Sequence, residues 1–274
     1  MKLAITGSGG FIGSHLRRAF PDHVRIYKED SVDTIREKLK GVDVVVNLAG
    51  APIIRRWSNA YKEVLINSRI ETTRRMVRAM DGYGVHFISS SAVGIYPDNV
   101  PCDESCPKYS DDFLGELAKR WENEALKAGV PTAILRLGVI LGKDGGALKL
   151  MMLPFKVGMG GPIGDGKMMM SWLTIHDLMA IYDFIIENAL TGVFNAVAPS
   201  PVINYQFTRA LGKALNRPAV IPVPKFVLRL LYGEAERVLT GSKEIYPKAL
   251  LNAGFQFKFP DIDSALEHCI SGHG

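Results

Sequence analysis

Three glycines near the start of the chain have the spacing of a phosphate-binding loop. Gly7, Gly10 and Gly13 stand in the segment TGSGGFIG, after a short apolar run and before an amphipathic segment. The first would form a tight turn, the second would let the backbone approach a diphosphate, and the third would let a helix pack closely. The first turn of that helix would offer unpaired N–H groups to the anion. The pattern predicts a dinucleotide site that includes Phe11 and Ile12, with an ordinary strand-to-helix turn as the alternative.

The residue that follows the second apolar run indicates which nicotinamide cofactor fits. A carboxylate at this place binds the ribose 2′-hydroxyl of NAD, whereas a cation accepts the 2′-phosphate of NADP. Lys28 occupies the position, and Glu29 and Asp30 follow it directly. A shift of one or two residues would reverse the preference, and a solvated lysine is the other interpretation. We expect NADP(H) rather than NAD(H).

Short apolar runs alternate with amphipathic segments through the first two thirds of the chain, and these runs predict the elements that position the loop. The predicted strands cover residues 2–6, 24–27, 42–48, 85–89 and 132–137. The predicted helices cover residues 12–20, 32–39, 61–80 and 113–128. Such alternation is typical of βαβ units, so we expect an α/β protein with a doubly wound parallel sheet.

The composition of the chain changes after residue 142. Residues 143–170 are rich in glycine and methionine, and prolines recur between residues 199 and 224. We therefore predict a dinucleotide-binding core at residues 1–142 and a smaller lobe at residues 143–274, with at least one strand returning to the sheet. Since no linker divides the two parts, they should form one compact body.

The overall composition excludes several classes of protein. The 274-residue chain is 47% hydrophobic and has three cysteines, which does not fit a disordered or disulfide-stapled protein. No uncharged apolar stretch reaches the ~18 residues that span a bilayer, and the first residues do not resemble a secretory signal, so we expect a cytoplasmic protein without a membrane partner. The net charge of +5 is not gathered in a basic run, so no nucleic-acid partner is expected. Cys102 and Cys106 lack further ligands for zinc, and no metal is predicted.

Further segments make the chain resemble the extended short-chain dehydrogenase/reductase superfamily, whose glycine motif is TGxxGxxG. The segment NLAG resembles the strand end beside the adenine and ribose, and RLGVILG resembles the segment that flanks the nicotinamide. The resemblance implies a Rossmann-type sheet with a smaller C-terminal substrate lobe. Only about fifteen residues separate Tyr27 from Val42, so the third strand of that sheet should be shortened or missing. The residues that the resemblance adds to the cofactor site are Leu48, Ala49, Gly50, Arg136 and Gly138.

More narrowly, the chain resembles the atypical subgroup called "epimerase family protein", which is similar to NAD(P)-dependent epimerases and dehydratases. Its distinctive C-terminal region is matched here by the segments PVP, GE and AGF near residues 222, 233 and 253. Arg56-Trp57 and Ser68-Arg69 match the subgroup as well. The resemblance extends over essentially the whole chain.

The superfamily uses a Tyr-x-x-x-Lys pair on one helix face for proton transfer, and this chain lacks it. When Glu122 is aligned with the usual glutamate, Leu114 takes the tyrosine position and Ala118 takes the lysine position. Ser91 keeps the place of the active-site serine. Tyr96, on a loop expected at the rim of the cleft, is the predicted substitute acid. The alternatives are a loop-stabilising hydroxyl for Ser91 and a structural or stacking tyrosine for Tyr96.

Met170 stands where sugar-nucleotide epimerases have a phosphate-binding arginine, which disfavours a nucleotide-sugar substrate. Two functions follow from the sequence. The first is an NADP(H)-dependent oxidoreductase or epimerase-like enzyme for a small, rather apolar carbonyl or hydroxy substrate. The second is a non-catalytic NADP(H) sensor or scaffold protein, which the missing pair supports.

Overall fold

The structure, a computed structural model, describes residues 1–272. Its strands are β1 (Leu3–Thr6), β2 (His23–Ile26), β3 (Val44–Asn47), β4 (His86–Ala92), β5 (Pro101–Cys102), β6 (Thr132–Leu137), β7 (Val139–Gly142), β8 (Met169–Met170), β9 (Trp172–Thr174), β10 (Gly192–Ala196), β11 (Val202–Ile203) and β12 (Glu244–Ile245). Its α-helices are α1 (Phe11–Ala19), α2 (Val32–Lys38), α3 (Asn59–Met80), α4 (Phe113–Ala125), α5 (Gly146–Lys156), α6 (Ile175–Glu187), α7 (Asn204–Leu215), α8 (Lys225–Tyr232), α9 (Arg237–Thr240), α10 (Lys248–Asn252) and α11 (Ile262–Ser271).

Six strands form one parallel sheet in the order β10–β6–β4–β3–β1–β2. The ends of β1 and its two neighbours are level, because Thr6 is paired in register with Ile26 on one side and Asn47 on the other. The carboxyl ends of the strands therefore share one edge, which is where open α/β sheets bind ligands. We call it the ligand edge. The predicted α/β, Rossmann-type doubly wound sheet is confirmed.

The sheet has lost one outer strand relative to the resembled superfamily. Between β2 and β3 the chain forms only α2, and within residues 1–272 no strand pairs with β2 on its outer side. The short spacing in the sequence predicted this loss, since it cannot hold a helix, a strand and a second helix. β2 is consequently an edge strand.

Both faces of the sheet are covered by helices, which explains the unbroken apolar runs of its strands. Ile5 and its neighbours on one face pack with Leu16 of α1 and Ile181 of α6. On the other face, Ala4 belongs to a cluster with Ile35 of α2, Met76 of α3 and Ala125 of α4. The alternating side chains of one strand thus enter two separate cores.

The C-terminal part of the chain contributes to the main sheet and also has a core of its own. β10 pairs with β6 in parallel, with Phe194 level with Leu135, and so returns to the sheet. A third core forms around the buried Trp172, where Met152 of α5, Phe207 of α7 and Leu266 of α11 meet. The predicted boundary at residue 142 stays a prediction.

Candidate functional site

The glycine loop between β1 and α1 is a bare backbone cradle at the ligand edge. Gly7 has a φ of +65°, and a Cβ there would lie 2.8 Å from the carbonyl oxygen of Leu48. A Cβ on Gly13 would lie 2.4 Å from the Gly7 oxygen, so this glycine lets α1 pack on the loop itself. The N–H of Gly10 donates to the Gly7 oxygen at 3.0 Å and closes the turn. Side chains at Gly7 and Gly13 would collide with this arrangement.

Phe11 and Ile12 begin α1, and their side chains pack against other parts of the protein. The ring of Phe11 is enclosed by glycines, since a Cβ on Gly142 or Gly145 would lie within 2.5 Å of ring atoms. Ile12 packs against the core under α1 and α6. As residues of the first helical turn they have no intrahelical acceptor for their N–H groups. These N–H groups are available to an anion at the helix N-terminus, and the part of both residues in cofactor binding stays a prediction.

The loop after β2 presents an exposed lysine that lies within ion-pair distance of its neighbour Glu29. The Lys28 side chain is 87% exposed and lies 3.6 Å from Glu29. Asp30 is committed elsewhere, because it accepts hydrogen bonds from Lys38 Nζ at 2.5 Å and from the N–H of Tyr27 at 2.8 Å. Burial acts to raise the pKa of Asp30, but the hydrogen bonds from Lys38 and the Tyr27 N–H, together with the charges of Lys38 and Arg75, outweigh it and the pKa is lowered. The Asp30 carboxylate is thus already hydrogen bonded within the protein, which argues against a role as ribose ligand.

An arginine of α3 fixes the backbone of that loop. Arg75 Nη1 donates to the carbonyl oxygens of Lys28 at 2.7 Å and Asp30 at 3.0 Å. Sequence reasoning did not identify this residue, since its partners lie on a loop 45 and 47 positions away.

The segment after β3 is anchored beside the glycine loop. Thr6 Oγ1 accepts from the N–H groups of Leu48 at 3.0 Å and Ala49 at 3.1 Å. Gly50 packs on a guanidinium, since a Cβ there would lie 3.0 Å from Cζ of Arg69. The three predicted residues therefore lie at the ligand edge, next to Gly7.

A buried network lies behind the ends of β4 and β6. Arg136 Nε and Nη2 donate to the two carboxylate oxygens of Glu122 at 2.8 and 2.7 Å. Ser91 Oγ donates to Glu122 Oε1 at 2.5 Å. Burial acts to lower the pKa of Arg136, but the hydrogen bonds and charge of Glu122, together with Tyr96, outweigh it and the pKa is raised. The guanidinium is engaged within the protein, and the part of Arg136 in cofactor binding stays a prediction.

Tyr96 lies inside the protein, and the prediction that it rims the cleft is wrong. A 3-10 turn at Val93–Ile95 carries the chain inward, and Tyr96 is fully buried. Its hydroxyl accepts from Arg136 Nη1 at 2.6 Å and donates to Asn195 Oδ1 at 2.9 Å. Burial raises the pKa of Tyr96, with Arg136 acting against it. The contacts match the structural alternative for this tyrosine, and its predicted role as an acid is untested.

The positions of the missing proton-transfer pair are packed. Ala118 is buried in a small core with Ile95 and Val197. Leu114 lies against a second small core around Trp57 and Leu65. Gly138 also serves packing, because a Cβ there would lie 2.6 Å from the oxygen of Ser171. Hydroxyl and amine groups are thus absent from the face of α4 that carries Leu114 and Ala118.

Met170 belongs to the core around Trp172. Among residues 1–272, no group of three or more His, Cys, Asp or Glu side chains is placed to hold a metal ion. The same part of the chain has no helix with the length and apolar character needed to cross a membrane.

Comparison with known proteins places this geometry in a family. The model of the NAD dependent epimerase/dehydratase family matches residues 3–196, which include the glycine loop, the buried network and the six-stranded sheet. The chain belongs to this family. A second model, a domain of unknown function called DUF1731, matches residues 223–269.

Relatives within the family are similar over their whole length. The mouse epimerase family protein SDR39U1 is 34% identical over 293 residues, which cover 99% of this chain and 100% of the relative. Epimerase family protein YfhF of Bacillus subtilis is 33% identical, over 99% of this chain and 98% of its own. The crystal structure of human epimerase family protein SDR39U1 (isoform 2) with NADPH is 31% identical, with a TM-score of 0.92 over 99% of each chain. The resemblance stated from the sequence is confirmed.

Proposed function

We propose that this chain binds NADP(H) and acts as an oxidoreductase or epimerase-like enzyme on a small, rather apolar carbonyl or hydroxy substrate. The observation that carries the proposal is the bare cradle of Gly7, Gly10 and Gly13 at the ligand edge, which side chains would fill. The family model and the NADPH in the human relative support it. We further propose a cytoplasmic protein whose partner is a small molecule, rather than a nucleic acid or a membrane.

The preference for NADP(H) follows from the loop after β2. Lys28 is exposed and held in place through its backbone by Arg75, so its ammonium group can meet a 2′-phosphate. Asp30, the carboxylate that would favour NAD after a two-residue shift, is bound to Lys38. Glu29 remains exposed, and its negative charge opposes the preference for NADP(H), because it would repel the 2′-phosphate.

When bound, the cofactor supplies the hydride chemistry, and the protein must bind and orient the substrate. Ser91 is the polar side chain that the family resemblance places beside the substrate. Because its hydroxyl donates to Glu122, its oxygen can accept a hydrogen bond from a substrate hydroxyl. This geometry orients an alcohol more readily than it polarises a carbonyl.

A non-catalytic sensor or scaffold is the second candidate. It is favoured by the packed Leu114 and Ala118, and by the buried hydroxyl groups of Ser91 and Tyr96, both of which already have protein partners. Both candidates need the cofactor site, so binding alone does not separate them.

Cofactor preference is tested by thermal shift with NADPH and NADH, on wild type and Lys28→Glu. We expect stronger stabilisation of wild type by NADPH, because a ligand that binds the folded state raises the melting temperature. Lys28→Glu should remove most of that advantage. Lys149→Glu, which makes the same charge change at an exposed site on α5, should keep it. Stabilisation by NADH alone would contradict the preference.

Catalysis is tested by incubating the protein with NADPH and a panel of small apolar aldehydes and ketones, and with NADP⁺ and the matching alcohols. Turnover that falls ~100-fold or more in Ser91→Ala would support the enzyme with Ser91 in its site. Turnover unchanged in Ser91→Ala would remove Ser91 from the mechanism. Tight NADPH binding without turnover of any panel member would favour the sensor.

A further inference from the structure

Cys102 and Cys106 are joined by a disulfide, although the chain has only three cysteines. Their Cα atoms are 5.3 Å apart, within the range that a disulfide spans. The third cysteine, Cys269, is buried elsewhere and is free. The proposed function uses neither member of the pair, and among residues 1–272 no group of three ligands is placed to hold a metal ion there. The pair is therefore a candidate for redox chemistry of its own.

The bond is poorly placed as a structural staple. It closes a loop between positions only four apart in the sequence, and short loops restrict the unfolded chain least. The two cores that cover the faces of the main sheet are built without either cysteine. In the cytoplasm proposed above for this protein, disulfides are mostly transient and redox-sensing. These observations favour a bond that opens and closes.

The two cysteines differ in exposure. Cys102 ends β5 and is 3% exposed, in a small core with Ile95 and Ile245. Cys106 packs at the border of that core and is partly exposed. A small oxidant or an external thiolate therefore reaches Cys106 first, and Cys102 is the inner partner. Redox-sensing pairs combine an accessible thiol with a neighbouring resolving thiol in this way.

The turn between the two cysteines is held by contacts other than the disulfide. The N–H of Cys106 donates to the Asp103 carbonyl oxygen at 3.1 Å, and the Asp103 carboxylate accepts from the Ser105 N–H at 2.7 Å. Lys248 Nζ lies 3.0 Å from the same carboxylate. The reduced thiols should consequently stay close together, so the bond can form again without refolding of the segment.

The turn also carries a carboxylate that is tied to the main sheet. Glu104 accepts from the N–H of Asn195 in β10 at 2.8 Å and from the N–H of Ala249 in α10 at 3.1 Å. The Asn195 side chain in turn accepts from the hydroxyl of Tyr96, which belongs to the buried network of Arg136. Closing the disulfide restricts the turn that positions Glu104, and through it the junction of β10 and α10.

We propose that Cys102 and Cys106 form a reversible thiol–disulfide switch whose oxidised state fixes Glu104 against β10 and α10. The Cys106 thiolate attacks an oxygen of hydrogen peroxide and becomes a sulfenic acid, and the other oxygen leaves and is protonated to water. The Cys102 thiol then attacks the Cys106 sulfur, the sulfur–sulfur bond forms and a second water leaves. Overall, two thiols and one peroxide give one disulfide and two waters.

A dithiol reductant reverses the switch. Its thiolate attacks the exposed Cys106 sulfur, and Cys102 leaves as a thiolate that takes up a proton. The second thiol of the reductant then releases Cys106, and the reductant becomes a cyclic disulfide. The switch goes beyond the proposed function and does not require that NADP(H) binds.

The first test treats the purified full chain with dithiothreitol and then with a small excess of hydrogen peroxide. Differential alkylation with peptide mass spectrometry should find Cys102 and Cys106 joined within one chain after peroxide and free again after dithiothreitol. Cys269→Ser is the matched control and should behave as wild type. Three results would each overturn the proposal: thiols that stay free after peroxide, a bond that dithiothreitol opens only in guanidinium, or a bond between two chains.

The order of the two cysteines is tested with dimedone, which traps sulfenic acids. Cys102→Ser should leave Cys106 as a sulfenic acid that dimedone labels after peroxide treatment. In Cys106→Ser, labelling of the buried Cys102 should be ~10-fold weaker or less, because the oxidant reaches it poorly. Equal labelling in both variants would contradict the assignment of Cys106 as the reacting thiol.

Hydrogen exchange tests the link to Glu104, and it uses wild type in two redox states, so it does not depend on a variant that folds. In the reduced protein the N–H groups of Asn195 and Ala249 should exchange ~3- to 30-fold faster than in the oxidised protein, because the turn is freer. The N–H of Phe87, which donates to the Pro131 oxygen at 2.8 Å, is the internal control and should not change. Glu104→Ala should abolish the difference and keep the disulfide. Equal exchange of both amides in the two states would overturn the link.

Discussion

Arg136 and Glu122 form a two-pronged ion pair in which both side chains are almost completely buried, with N–O distances of 2.8 and 2.7 Å. The pair joins β6 to α4 one helical turn beyond Ala118, the position where the superfamily has its lysine. Ser91 and Tyr96 are hydrogen bonded to the two members of the pair. In the superfamily this region carries out proton transfer. In this chain it therefore consists of buried side chains whose charges and hydroxyl groups are paired with one another.

Breaking this ion pair should strongly destabilise the fold. Glu122→Gln leaves Arg136 buried without a counter-charge, and we expect the free energy of unfolding to fall by about 3–5 kcal/mol. Urea denaturation followed by circular dichroism measures it. Glu37→Gln, which breaks the exposed contact with Lys40, is the control and should leave the midpoint unchanged. Glu122→Leu combined with Arg136→Met should recover most of the loss, and equal loss in single and double variants would argue against this account.

The glycine loop offers a matched pair of substitutions. Gly13→Ala puts a methyl group 2.4 Å from the Gly7 oxygen, so we expect a loss of stability of about 1–3 kcal/mol and weak NADPH binding. Gly9→Ala should have little effect, because a Cβ there meets nothing within 4 Å. Fluorescence titration with NADPH and thermal melts compare the two. Similar behaviour of both variants would show that the cradle does not depend on close packing.

Two of the nine tyrosines should resist ionisation in the native protein. Burial raises the pKa of Tyr96 and of Tyr182 above the usual value of about 10. Both groups then lose their protons more easily in the unfolded chain, so they favour the folded state below pH ~10 and this contribution declines as the pH rises further.

Absorbance at 295 nm measures this titration. We expect a fraction equivalent to two tyrosines to ionise only with unfolding, and Tyr96→Phe should reduce it to one. The exposed Tyr205 supplies the control, because Tyr205→Phe should leave the late fraction intact. A single transition of all tyrosines near pH 10 would contradict the burial of both.

Cys269 should be inert in the folded protein. Its thiol donates to the oxygen of Leu141 at 3.6 Å, and burial raises its pKa to about 12. The thiolate fraction at pH 8 is then roughly a thousandfold smaller than for a free cysteine. Iodoacetamide labelling with peptide mass spectrometry should find Cys269 modified in guanidinium and unmodified in buffer, and comparable rates in both would refute its burial.

The local parts of this structure could be predicted from the sequence. Strand and helix alternation, the glycine spacing and the shortened segment between Tyr27 and Val42 are all local patterns, and each predicted what the structure has. Tyr96 could not be placed in the same way. Its burial depends on Arg136 and Asn195, which are 40 and 99 residues away and meet it only through the sheet.

The same limit applies to charges. The sequence favours Lys28 at the ribose, and a shift of one or two residues would place Glu29 or Asp30 there instead; the contact with Lys38 distinguishes Asp30 from the others. Arg69 is an ordinary helix residue by pattern, and its hydrogen bond to the oxygen of Ala51, 18 residues away, is visible only in the structure.

The shortened sheet leaves β2 with one side unpaired among residues 1–272. An outer strand exposes unpaired backbone groups on which a second chain can add a strand, and this is a common route to aggregation. β2 is only four residues long, and Lys38 Nζ donates to the oxygen of Arg25 at its centre at 3.2 Å. The lysine that is paired with Asp30 thus also occupies a backbone oxygen of this outer strand.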